Sequence, residues 1–147
     1  MSKTISYKGK LDIGLESQIR LKTIKGKVGY KITKFQVMTT TPGGANTELI
    51  GQIFKKSQIG SIGTNVDFSD SDLLAVALYH DADSTSYAFN DTFIFDNETF
   101  NQDIFVNITD VSGATNPGNY YIELERISLS DIEATELTLQ NLRTIVS

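Results

Sequence analysis

The chain has 147 residues, 39% of them hydrophobic and 10% aromatic, a size and composition that suit one domain with a real core. No stretch approaches the ~18 consecutive apolar residues of a membrane-spanning helix, and the opening Met1–Lys8 has no apolar h-region, so no secretory signal is expected. The absence of cysteine excludes disulfides, thiol nucleophiles and zinc–thiolate sites, and the single histidine leaves at most one participant for a histidine relay.

Charge is divided along the chain. Residues 1–56 carry eleven basic against three acidic residues, a net of +8, and residues 57–147 carry two against fifteen, a net of −13. Such a division predicts attraction between two surfaces, within the fold or between copies, unless strands of the two halves pair and mix their charges on one face. The basic half lacks the interleaved aromatics and clustered arginines of a nucleic-acid interface, so no nucleic-acid partner is expected.

The dominant period is two. Gln18 to Lys22 alternates polar and apolar, and Val28, Tyr30 and Ile32 alternate with Lys27, Lys31 and Thr33. At Thr33–Lys34 the phase slips by one residue before Phe35 and Val37 continue, the trace of a β-bulge or a corner between sheets. A turn at 41–46 (TPGGAN) leads to a strand over 49–54, and Ile62, Thr64, Val66 and Phe68 predict another. Residues 73–79 (LLAVALY) read as a buried strand with a one-turn lead-in, followed by a polar loop over 81–86. Strands are predicted at 92–95, 104–108 and 120–124, the last two separated by a long turn over 111–119. The inward set expected from these alternations is Ile62, Val66, Val76, Leu78, Ile104, Val106, Ile122 and Leu124.

The tail differs. Ser130 and Glu133 form a capping box, and the following residues favour a helix over 130–145 with an apolar stripe of Leu139, Leu142 and Val146. A helix this short must dock on something, so 129–147 reads as a docking tail and that stripe as its partner-docking surface. Strands about ten residues apart without helical crossovers make the fold class all-β: one antiparallel β-sandwich over 1–147, jelly-roll or immunoglobulin-like, with a short C-terminal helix or arm.

Catalytic chemistry finds little support. His80 ends an apolar strand beside Asp81 and reads as a strand-end histidine rather than a triad member. No phosphate loop, dinucleotide fingerprint or HExxH motif occurs. No catalytic, cofactor-binding or metal residue is therefore assigned, and no cofactor. Asp81 and Asp83 are the one calcium candidate, but a lone D-x-D offers two of the six to eight oxygens calcium takes. A glycan-binding sandwich would need aromatic platforms; tryptophan is absent, leaving Tyr87, Phe89 and Tyr121 as substitutes.

The segments GKVGYKITKF (Gly26 to Phe35), FSDSDLLAVA (Phe68 to Ala77), IFDNETFNQDIFV (Ile94 to Val106), NYYIELE (Asn119 to Glu125) and SDIEATELTLQNLRTI (Ser130 to Ile145) resemble small virion proteins of marine tailed bacteriophages. The resemblance implies a non-enzymatic structural protein of the virion, a capsid decoration (cement) protein first of all. Its partners would be the major capsid protein or other virion proteins, in a homo-oligomer assembled in the host cytoplasm, without membrane contact. A tail or head–tail connector subunit, or a glycan-binding module, is the alternative.

Overall fold

A computed structural model describes residues 3–21, 28–42, 47–81, 89–95, 99–112 and 116–130, with 136, 137 and 139. It is an antiparallel β-sandwich with, among the described residues, eight strands: β1 (Lys3–Leu11), β2 (Glu16–Ile19), β3 (Val28–Thr39), β4 (Thr47–Phe54), β5 (Leu73–Asp81), β6 (Phe89–Ile94), β7 (Ile104–Asp110) and β8 (Gly118–Ser128). One sheet has the order β1-β8-β3 and the other β2-β7-β4-β5-β6. β1 pairs with β8, β2 with β7 and β4 with β5, as in one long hairpin rolled over on itself. That is jelly-roll wrapping, not the immunoglobulin order. The expected β3–β6 rung is the exception, because β6 stays on the edge of β5. Among the described residues, a side chain bridges that seam, the Thr92 hydroxyl donating to the Phe35 carbonyl at 2.8 Å.

The phase slip in β3 is a bulge, with the register shifting between Ile32 and Lys34. Its consequence is that Ile32 and Phe35, three apart, both enter the core, while Thr33 is left exposed. Between the sheets lie Phe35, Leu49, Ile53, Ile104, Val106, Ile108, Ile122 and Leu124, all essentially without exposure. Gly51 faces this layer, and a Cβ there would come within 2.6 Å of a Val37 methyl and 2.9 Å of the Phe35 ring. The sheets approach so closely at this point that only glycine fits.

The outer face of the three-stranded sheet shows how the divided charge is resolved. Acidic β8 runs between basic β1 and β3, with Glu125 opposite Lys31 and Glu123 opposite Lys34. Strand pairing therefore mixes the charges of the two halves on this face.

The five-stranded sheet is different, with an apolar patch on its outer face over β4 and β5. Ile50, Phe54, Leu73 and Val76 form a second buried cluster on its outer side, joined by Val66, Leu78 and Phe95. The expectation that Val76 and Leu78 face the inter-sheet core is corrected here: Ala75, Ala77 and Tyr79 take that face. The segment 62–68, expected as a strand, is no strand but part of a strap crossing this outer face. It packs Val66 against the second cluster, and Phe68 edge-on to Phe95 with ring centres 4.8 Å apart. Its alternation thus reflects one-sided packing without a ladder. The strap's ends are tied by the Lys55 amide donating to the Asp72 carbonyl at 2.8 Å.

Two further regions depart from the sequence reading. β1 was not assigned, although Ile5, Tyr7, Gly9 and Leu11 alternate with exposed residues. The segment 130–145 lies mostly outside the described residues; within it Glu136, Leu137 and Leu139 have helical backbone.

Candidate docking surface

The site residues read from sequence are placed as follows. Leu139 is about half exposed, at 50%, and Leu142 and Val146 lie outside the described residues. Leu129, the first residue assigned to the tail, belongs to the sandwich: it is buried against Gly29, where a Cβ would meet its methyls at 3.0 and 3.2 Å.

His80 stands opposite Glu48 across β4 and β5, its Nδ1 3.5 Å from a carboxylate oxygen. Asp81 turns inward and accepts the Tyr79 hydroxyl at 3.1 Å, both residues being buried. Burial first, and then this bond to a carboxylate, push the Tyr79 phenol up to about 12. Asp81 is thus engaged in the fold; Asp83 lies outside the described residues. Among the described residues no group of three or more histidine or acidic side chains is placed to hold a metal ion.

The aromatic residues considered for sugar stacking fare no better. Tyr87 and the side chain of Phe89 lie outside the described residues. Tyr121 borders a groove of about 390 Å³ at the β3–β6 seam, together with Val37, Met38, Tyr79 and Tyr120. The Lys34 ammonium stands 5.9 Å from the centre of the Tyr121 ring, and the hydroxyl donates to Glu123 at 2.7 Å. That bond raises the phenol's pKa. A ring so engaged is a member of the surface charge network rather than a free platform.

The most distinctive exposed feature was not assigned from sequence. At the end of the sandwich where β1 passes into β2, the turn 12–15 closes through the Leu15 amide donating to the Asp12 carbonyl at 3.1 Å. Gly14 adopts a positive φ of 81°, which a side chain would oppose. The Gly14 amide donates to the Ile108 carbonyl at 2.9 Å, fixing the turn to β7. Leu15 is left 55% exposed at its tip.

Beside it stands Ile59 of the strap, 78% exposed, with half-buried Ile62. The two loops are locked together by Glu16. One of its oxygens accepts the Ser57 hydroxyl and the other the Gln58 amide, each at 2.6 Å. Charge-assisted bonds of this length hold geometry well. The depression between Leu15, Ile59 and Ile62 measures about 480 Å³. Three aliphatic side chains are thus gathered on one solvent-facing knob. The signal available in sequence was Ile59 and Leu15 among polar turn residues, outside any alternating run.

The tail leaves from the opposite end. Strand register puts Arg126 beside Lys3 and Gly118 beside Leu11, so the chain exits β8 at the far end from the knob. Comparison with known proteins finds no family model that matches this chain, and no match among curated proteins.

Proposed function

We infer that the protein is a non-enzymatic structural component of a phage particle, a capsid decoration protein that docks on the major capsid lattice. The observation that carries this reading is the rigid apolar knob of Leu15 and Ile59, clamped by Glu16 and presented to solvent. Two arguments support it. An apolar contact at one end and a tail carrying exposed Leu139 from the other would let one sandwich bridge two neighbours, which is the task of a cement protein. The resemblance to small virion proteins points the same way.

In this reading the knob contacts a capsid subunit and the tail, with Leu139, Leu142 and Val146, engages a neighbouring copy, so the protein acts as a homo-oligomer. The mixing of charges on the three-stranded sheet supports apolar docking over attraction between basic and acidic halves. Quantitative mass spectrometry of purified particles tests the reading. Hundreds of copies per particle are expected on the order of a capsid lattice; a handful would indicate a tail or connector subunit, and absence would refute a particle role.

A further inference from the structure

The groove of about 390 Å³ at the β3–β6 seam is open because β6 stays with β5, which leaves β3 without a ladder partner there among the described residues. The Phe35 carbonyl points into the seam, toward the Thr92 hydroxyl. Backbone groups alternate sides along a strand, so those of Val37, two residues on, point the same way. Val37, Met38, Pro42, Tyr79, Tyr120 and Tyr121 line the groove. Met38 is 43% exposed, a flexible apolar side chain of the kind that adapts to an apolar partner.

Charge and reach together identify what covers it. At this end of the three-stranded sheet the exposed Lys8 and Lys10 stand opposite Tyr121 and Asn119 rather than opposite acids, with Glu123 the next acid along β8. The border of the groove is therefore basic. The tail is its complement: Asp131, Glu133 and Glu136 precede the apolar stripe, and Arg143 is the one base between 130 and 147. Leu139, Leu142 and Val146 follow at i, i+3 and i+7, the spacing with which an amphipathic helix fills an apolar groove. Leu139 has helical backbone and is 50% exposed, so its own sandwich does not cover it.

Reach excludes the tail's own groove. Tyr121 and Leu129 are eight residues apart along β8 and its end, about 26 Å in extended chain. A helix from Ser130 rises about 1.5 Å per residue, which keeps Leu139 within about 14 Å of its start. The stripe therefore falls short of the groove on the same chain. A second copy imposes no such restriction.

We propose that the helical tail of one copy lies in the β3–β6 groove of the next, with Leu139, Leu142 and Val146 in the groove and Asp131, Glu133 and Glu136 toward Lys8 and Lys10. Adhesion is apolar and the charges set the direction of the helix. Giving and receiving surfaces differ, so each copy gives one tail and takes one. The proposal rests on the reading that the tail engages a neighbouring copy, and it names the receiving site.

The absence of native cysteine makes the contact testable by cross-linking. Full-length Met38→Cys and Leu139→Cys, both changed at exposed positions, are mixed and oxidised. A disulfide joining one copy of each should be the main product, and Ile59→Cys mixed with Leu139→Cys should give little. Sedimentation equilibrium of the wild-type protein at about 100 μM should show association. Met38→Asp and Leu139→Asp should each weaken it about tenfold or more, with unchanged melting temperature. Loss of association with Leu139→Asp but not with Met38→Asp would overturn the groove as the site while leaving the tail reading in place. A monomeric wild-type protein would overturn the proposal and leave the particle role to the copy number in purified particles. No mixed cross-link, or an equal yield with Ile59→Cys, would overturn it as well.

Discussion

The two sheets present their outer faces to very different surroundings. The three-stranded sheet turns a charged face outward, with Glu123 and Glu125 set between Lys34 and Lys31 of β3 and Ser6 and Thr4 of β1. The five-stranded sheet hides Ile50, Phe54, Leu73 and Val76 beneath a strap, so β5 is apolar on both sides over Leu73–Leu78. A one-faced sheet can be altered outside at little cost, whereas a two-faced sheet depends on its cover. The exposed Ile59 and part of the lining of the cleft beside Asn107 also belong to the strap.

The contrast is broken most severely by putting a charge beneath the strap. Val76→Asp, at a position 1% exposed, should destabilise by at least about 3 kcal/mol in denaturant unfolding. The equivalent charge change on the other sheet's outer face should be nearly silent. Gly51→Val tests the layer that both sheets share. The new methyl groups collide with Val37 and Phe35, and a loss of about 2–3 kcal/mol is expected from the same measurement. A loss under about 0.5 kcal/mol would mean that the sheets are not held at the described separation.

Thr92→Val probes the seam that the jelly roll leaves without a ladder. It removes the donor to the Phe35 carbonyl at nearly constant volume, and a cost of about 1–2 kcal/mol is expected. Tyr79 adds a pH-dependent term confined to alkaline solution. Its folded pKa of about 12 exceeds the unfolded value of 10.0, so the folded chain keeps a proton that the unfolded chain releases. Its contribution is complete below about pH 10 and is lost as pH rises toward 12. Unfolding of Tyr79→Phe across that range should show a weaker decline than the parent; an identical decline would rule out Tyr79 as its source. The smallest effect sharpens the contrast from the other side. Glu123→Gln on the exposed face should change stability by less than about 1 kcal/mol, and that change should shrink in high salt.

The same contrast explains which parts of the fold were legible in the sequence. Where one face is wet and the other dry, alternation specifies both strand and phase: Ile122 and Leu124 were assigned inward correctly, and the slip at Thr33 marked a real bulge. In β5 both faces are dry, so LLAVALY identifies a strand but not which residues face the core, and Val76 and Leu78 were placed on the wrong side. The strap mimics a strand because one row of its side chains packs downward, and nothing local reports the missing ladder. β1 shows the opposite problem, a true strand whose exposed positions carry its three lysines, at 3, 8 and 10. The knob and the cleft were illegible for a simpler reason. Leu15 meets Ile59, and Gln52 meets Asn107, through pairings between distant segments.

The central claim, docking through a rigid apolar knob, is tested most directly by adding purified protein back to particles that lack it. Wild-type protein should co-sediment with the particles to saturation. The double variant Leu15→Ser, Ile59→Ser should stay in the supernatant while melting at the same temperature, because both side chains are exposed. Equal co-sedimentation of the double variant, or failure of the wild-type protein to bind, would contradict the account.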